Sequence, residues 1–155
     1  EIVRAIFDRM VGEWDSVSQL PPGRQPTAAD LAAALERSFD LHWRFRFFNR
    51  ELLALMTRDP ELRERYRAMY GHRLEELTRL AESLVDEGVM QADAKPVLTG
   101  LLEGAWIVGE HGMGHLEIIG DPTNRTQIHR GVSVIVALLR PYLSDEVPES
   151  INQER

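Results

Sequence analysis

One helical stripe in the first third of the chain, Leu31, Leu35, Ser38, His42, Phe45, Asn49, Leu52 and Met56, mixes apolar side chains with three polar ones. On a buried face a hydroxyl, an imidazole and a carboxamide each need a hydrogen-bond partner. They either bond to neighbouring helices or face a cavity where water or a ligand satisfies them, and both readings fit. Trp43, Arg44, Arg46, Phe47, Phe48 and Arg50 flank the stripe. Rings beside guanidinium groups suit a planar or anionic organic molecule, and they suit ordinary packing equally well.

His111 and His115 lie four apart, a spacing that puts two imidazoles on one helical face and could chelate a divalent metal. A metalloprotease motif needs Glu directly after the first His, where this chain has Gly112, and no third ligand is fixed. Glu103, Glu110 and Glu117 fall seven apart, but no Glu-x-x-His accompanies them, so a di-iron carboxylate bundle is not supported and a solvated face is expected. Nucleophile arrangements are missing too: there is no Cys, no Gly-x-Ser-x-Gly and no phosphate-cradling glycine loop. Neither a catalytic set nor a cofactor follows from these residues. Gly100, Gly104, Gly109, Gly112 and Gly114 crowd one helix at about 1 kcal/mol each against Ala. They imply either close approach to a neighbour or a cavity, or a break near Gly112-Met113-Gly114; the break is preferred.

The elements that must position these residues read as helices throughout. The 155 residues are 43% hydrophobic and 28% charged, which suits one folded domain. The absence of Cys suits a reducing cytoplasm. No apolar run is long enough for a membrane span. With 18 Lys+Arg against 25 Asp+Glu, the net charge of -7 makes this segment a poor partner for a phosphate backbone.

Ile2, Val3, Ile6, Phe7, Met10, Val11 and Trp14 mark a first helix to about Val17, ended by the proline-rich stretch from Leu20 to Pro26. Thr27 with Asp30 reads as a capping box that opens a long helix to about Thr57. Asp59-Pro60 opens a third helix, which Gly71 can bend and Gly88 stops. Asp93 is expected to cap a fourth, with Pro96 in its first turn, running towards Ile119 and closed by Gly120-Asp121-Pro122. A last helix runs from about Asn124 to Leu143, followed by a polar, acidic tail. The architecture is an all-α bundle of five to six helices without strands.

The stretch Trp43-Arg44-Phe45-Arg46-Phe47-Phe48-Asn49-Arg50-Glu51-Leu52, followed by Arg58-Asp59-Pro60-Glu61-Leu62 and Tyr66, resembles the C-terminal domain of TetR-type bacterial transcriptional regulators. Leu84 to Met90 and Leu138-Leu139-Arg140-Pro141-Tyr142-Leu143 resemble further parts of it, so the likeness spans most of the chain. It implies a regulator, a probable repressor, with residues 1-17 as the connecting helix from a helix-turn-helix domain missing here. Residues 27-143 would then form the effector-binding and dimerisation domain, and 144-155 a flexible tail. Operator DNA would be bound only through the missing domain, and the protein would be a cytoplasmic homodimer without enzymatic activity.

On this reading the effector cavity is expected at His42, Phe45, Arg46, Asn49, Tyr66, Tyr70, Trp106 and Met113. The dimer is expected to form through Leu116, Ile119, Ile128, Val132, Ile135, Val136 and Leu139. Glycines from Gly109 onward depart from the bulkier residues of relatives. Two competing readings are a small helical metalloprotein or enzyme using His111 and His115, and a structural dimerisation module with a filled core.

Overall fold

A computed structural model describes residues 1–18, 25–121 and 123–144, apart from the side chains of 16–18, 28, 113, 125, 128 and 129. The proline-rich linker at 19–24, Pro122, the tail beyond 144 and the side chains of Met113 and Ile128 therefore lie outside the described residues. Among the described residues are seven α-helices: α1 (Ile2–Ser18), α2 (Ala28–Arg44), α3 (Arg46–Arg50), α4 (Leu52–Arg58), α5 (Pro60–Asp86), α6 (Leu98–Ile119) and α7 (Arg125–Leu139). Single 3-10 turns precede α6 (Ala92–Val97) and follow α7 (Arg140–Tyr142). No strand is formed among them beyond one isolated bridge, Met90 to Leu143. No described helix is long and apolar enough to cross a membrane.

The helix starts follow local chemistry. Thr27 Oγ1 accepts from the Asp30 amide at 3.3 Å while the Asp30 carboxylate accepts from the Thr27 amide at 2.9 Å, closing a capping box. Asp59 Oδ1 accepts from the Leu62 amide at 3.0 Å, and Pro60 occupies the first turn, where its missing amide leaves no acceptor orphaned. Asn124 caps α7 in the same way. At the end of α5, Gly88 takes a φ of 73°, which lets the amides of Val89 and Met90 turn back to the Leu84 carbonyl at 2.9 and 3.0 Å.

Four expectations about the helices are corrected. The long helix from Thr27 to Thr57 is broken twice, at Phe45 (φ -102°, ψ 20°) and at Glu51 (φ -92°, ψ 4°). No proline or glycine causes this. The bends let α2 pack on α1 and α7, α3 on α6 and α4 on α5, which one straight rod could not do. Asp93 does not cap α6; it sits in the preceding 3-10 turn, and Val97 precedes α6 with no side-chain cap. The break at Gly112-Met113-Gly114 does not occur, because α6 continues unbroken to Ile119. The last α-helix stops at Leu139, since Pro141 cannot extend its amide ladder.

Two apolar clusters hold the bundle. One joins Phe39 on α2 to Leu84 and Val85 on α5, Leu98 on α6, and Ile135 and Leu139 on α7. The other joins Phe7 and Met10 on α1 to Leu41, Phe45, Phe48, Leu52 and Leu62. Charges add a clasp along α1: Arg4 grips Asp59 with two 2.8 Å contacts and also reaches Glu61, Asp8 meets Arg65 at 3.3 Å, Glu13 meets Arg44 at 2.8 Å, and Asp15 meets the buried Arg73. Hydrogen bonding from Arg4 holds the Asp59 carboxyl down at about 2.

Candidate functional site

Where α2, α6 and α7 meet, a cavity of about 360 Å³ runs from the outer surface inwards. Its inner wall is Phe39 and His42 on α2, with Val108, Gly109, Gly112 and Leu116 on α6. Its mouth is Ile107, His111, His115 and Ile119 on α6, facing Gln127, Arg130 and Val134 on α7. Two glycines bring the walls together. A Cβ on Gly131 would stand 2.4 Å from Cε1 of Phe39, so only glycine lets that ring lie against α7. A Cβ on Gly109 would meet Cε1 and Nε2 of His42 at 3.4 Å, so the imidazole occupies the space that a side chain would take.

His42 is 8% exposed, and its Nδ1 lies 2.7 Å from the Ser38 carbonyl oxygen. A carbonyl can only accept, so the proton sits on Nδ1 and Nε2 keeps its lone pair. Burial lowers the pKa of the ring and keeps it neutral. Behind it, Trp14 of α1 packs edge-on to the imidazole at 5.1 Å and stacks on Trp106 of α6 at 5.5 Å. Tyr70 meets Trp106 edge-on at 5.1 Å. The cavity wall is thus one residue away from the N-terminal helix.

The sequence-based residues scatter around this centre. His42 lines the cavity. Phe45 and Tyr66 belong to the α1 cluster, and Arg46 is exposed with its guanidinium 4.3 Å above the Trp43 ring. Asn49 is half-buried, and its Nδ2 finds no acceptor among the described residues. Trp106 and Tyr70 form the aromatic layer behind His42 rather than the cavity surface. Missed were Phe39 and the α7 residues Gln127, Arg130, Gly131 and Val134. Their spacing of three, four and seven is itself a mixed helical stripe and could have been read like the one on α2.

Of the expected interface residues, Ile135, Val136 and Leu139 are buried in this chain's own core, so they are not free to face a second copy. Leu116 and Val132 are half-buried and Ile119 is exposed. The exposed apolar residues of α6 and α7 are Ile107 (58%), Ile118 (84%), Ile119, Val134 and Leu138.

The expectation of a solvated Glu103-Glu110-Glu117 face fails at Glu110, whose side chain is 14% exposed. Trp106 Nε1 donates to its Oε1 at 3.2 Å, and burial lifts its carboxyl to about 7. Glu103 is exposed, and Glu117 accepts from Arg50 at 3.2 Å. His111 and His115 are both exposed at the mouth. Among the described residues no group of three or more His, Asp or Glu is placed to hold a metal ion.

A family model described as TetR, bacterial transcriptional repressor, matches residues 9–151. The chain is also similar to the crystal structure of a TetR-family transcriptional regulator from Marinobacter aquaeolei VT8, with 28% identity and a TM-score of 0.84. That match covers 97% of this chain and 72% of the other. No curated protein matches. With a bundle of this shape and a family match over nearly its whole length, the chain belongs to the TetR family of bacterial transcriptional regulators.

Proposed function

We propose that residues 25–144 form the effector-sensing and pairing part of a repressor, with operator contact made by a helix-turn-helix domain that precedes α1. The observation that carries the proposal is the cavity whose inner wall, His42, touches Trp14 of α1. A ligand seated against His42 would favour one setting of the Trp14 ring, and so of α1, over another. Only such a difference in affinity between two settings can change DNA binding elsewhere in the protein. The net charge of -7 supports assigning operator contact to another domain. The role is binding rather than catalysis, and the protein works in the cytoplasm.

Pairing is assigned to the exposed apolar face of Ile107, Ile118, Ile119, Val134 and Leu138, too extensive to be left to water in a protein whose family works as regulators. Ile107, Ile119 and Val134 also rim the cavity, so occupancy and pairing are linked.

The test is a thermal-shift screen of small organic acids, alcohols and amines on the wild-type protein and on Gly112→Phe, whose added ring projects into the cavity. A compound that raises the melting temperature of the wild type but not of the folded variant supports the site. Equal responses, or no response to any compound, overturn it.

A further inference from the structure

The cavity has a polarity that names the chemistry of its ligand, an inference that rests on the effector-binding reading above. Its inner end presents a lone pair. Nδ1 of His42 is engaged with the Ser38 carbonyl, which leaves Nε2 as a hydrogen-bond acceptor; among the described residues nothing donates to it. The ring is 92% buried by its 8% exposure, so water reaches it only through the cavity. An acceptor left bare in such a place costs free energy until a donor arrives, and a carbonyl or carboxylate placed there would meet it lone pair to lone pair.

The middle of the cavity is apolar. Phe39, Val108 and Leu116 supply the walls, and Gly109 and Gly112 keep the floor low. About 360 Å³ lies near the small end of the range for organic-ligand sites, which is roughly 300–1,000 Å³. A molecule of one or two rings fits this space.

The outer end is cationic. None of the fourteen lining residues is an acid, although the chain carries 25 of them, while Arg130 stands at the mouth with no carboxylate paired to it among the described residues. The Gln127 oxygen is already used by the Asp121 amide at 2.7 Å, so what Gln127 still offers is its amide donors. Donors and positive charge at one end select an anion there.

We infer that the ligand is an amphipathic ring-bearing organic acid with a neutral hydroxyl at its inner end, donating to Nε2 of His42, and a carboxylate at its outer end, facing Arg130. Reversed seating would put the carboxylate against the His42 lone pair and the hydroxyl beside a bare guanidinium, and both ends would lose.

Isothermal titration with four probes tests both ends: para-hydroxyphenylpropanoate, its methyl ether para-methoxyphenylpropanoate, unsubstituted phenylpropanoate, and para-hydroxyphenylpropanamide. On the wild-type protein the hydroxy acid should bind about three- to tenfold more tightly than phenylpropanoate, the range for one neutral hydrogen bond, and the methyl ether should bind no better than phenylpropanoate. The amide should lose about two- to fivefold against the acid, the range for a solvent-exposed ion pair. His42→Phe should erase the hydroxyl preference, His42→Gln should restore part of it through its amide oxygen, and Arg130→Gln should erase only the acid preference.

Equal binding of the hydroxy acid and phenylpropanoate to the wild type overturns the donor assignment without recourse to any variant. Equal binding of acid and amide overturns the carboxylate. If no probe binds, this ligand class is wrong, while the cavity itself is judged separately by the screen against Gly112→Phe.

Discussion

Around Phe48 and Leu62 the helices α1, α3, α4 and α5 close on one another until neither side chain meets solvent, whereas between α6 and α7 a groove stays open from Ile107 inwards to His42. Both regions are helical and both are rich in apolar residues. They differ in what stands at the crossings. At the first, bulky rings and leucines interlock and a row of ion pairs runs along α1, from Arg4 with Asp59 to Asp15 with Arg73. At the second, glycines hold the backbones close at points such as Gly131 over Phe39 and leave space between them. Interlocked bulk yields one stable arrangement, and close backbones with gaps yield a region that a ligand can still change.

The largest test of this contrast is truncation. Phe48→Ala should cost about 3–5 kcal/mol in urea denaturation, because Phe48 is 1% exposed and its neighbours cannot collapse into the space. Ile107→Ala, at the rim of the groove, should change stability by less than about 0.5 kcal/mol. Similar losses at both positions would mean that the groove end is packed as firmly as the α1 end.

A pair of glycine substitutions sharpens the same contrast within the looser region. Gly131→Ala forces a methyl group to within 2.4 Å of the Phe39 ring and should destabilise by roughly 1–3 kcal/mol, less what alanine contributes to helix formation. Gly104→Ala meets nothing within 4 Å and should stabilise by up to about 1 kcal/mol. Thermal melts of the two variants should therefore move in opposite directions, and movement in the same direction would remove the special status of the Phe39 crossing.

The smallest expected effect concerns Glu110, on the border between the two regions. Burial raises its carboxyl from 4.5 to about 7, so the folded protein favours the protonated form. The stability this group confers is complete below 4.5, declines as the pH rises, and is gone once the pH has passed about 7. With solvent screening allowed for, the difference is on the order of 1–2 kcal/mol. Glu110→Gln should lack this decline when guanidinium midpoints are compared at about pH 5 and about pH 8. A wild type and a variant with parallel pH profiles would show that Glu110 is as well hydrated as an ordinary surface glutamate.

Much of the fold was legible because its signals are local. Thr27 with Asp30, Asp59 with Pro60, and Gly88 act on amides within four residues of themselves, so their types and spacing suffice to place helix ends. The family resemblance was legible from the aromatic-arginine segment for a related reason: those residues sit together in the chain. The bends at Phe45 and Glu51 were not legible, since no proline or glycine marks them and only the need to pack on different neighbours imposes them. The candidate site was legible at a single position. His42 announced itself as a polar residue on an apolar stripe, but whether its free nitrogen faced a helix or a cavity depended on residues some ninety positions away on α7.

The amino-acid sequence alone determined that this protein is a helical bundle, where most of its helices begin and end, and which family it belongs to, because helix caps, periodicity and contiguous motifs are short-range properties of the chain. Only the tertiary structure decided which side of α6 is a wall and which is a surface. The same glycine lowers a floor, admits a ring or merely weakens a helix according to what lies across from it, and that is set by the meeting of α2, α6 and α7 rather than by any one of them.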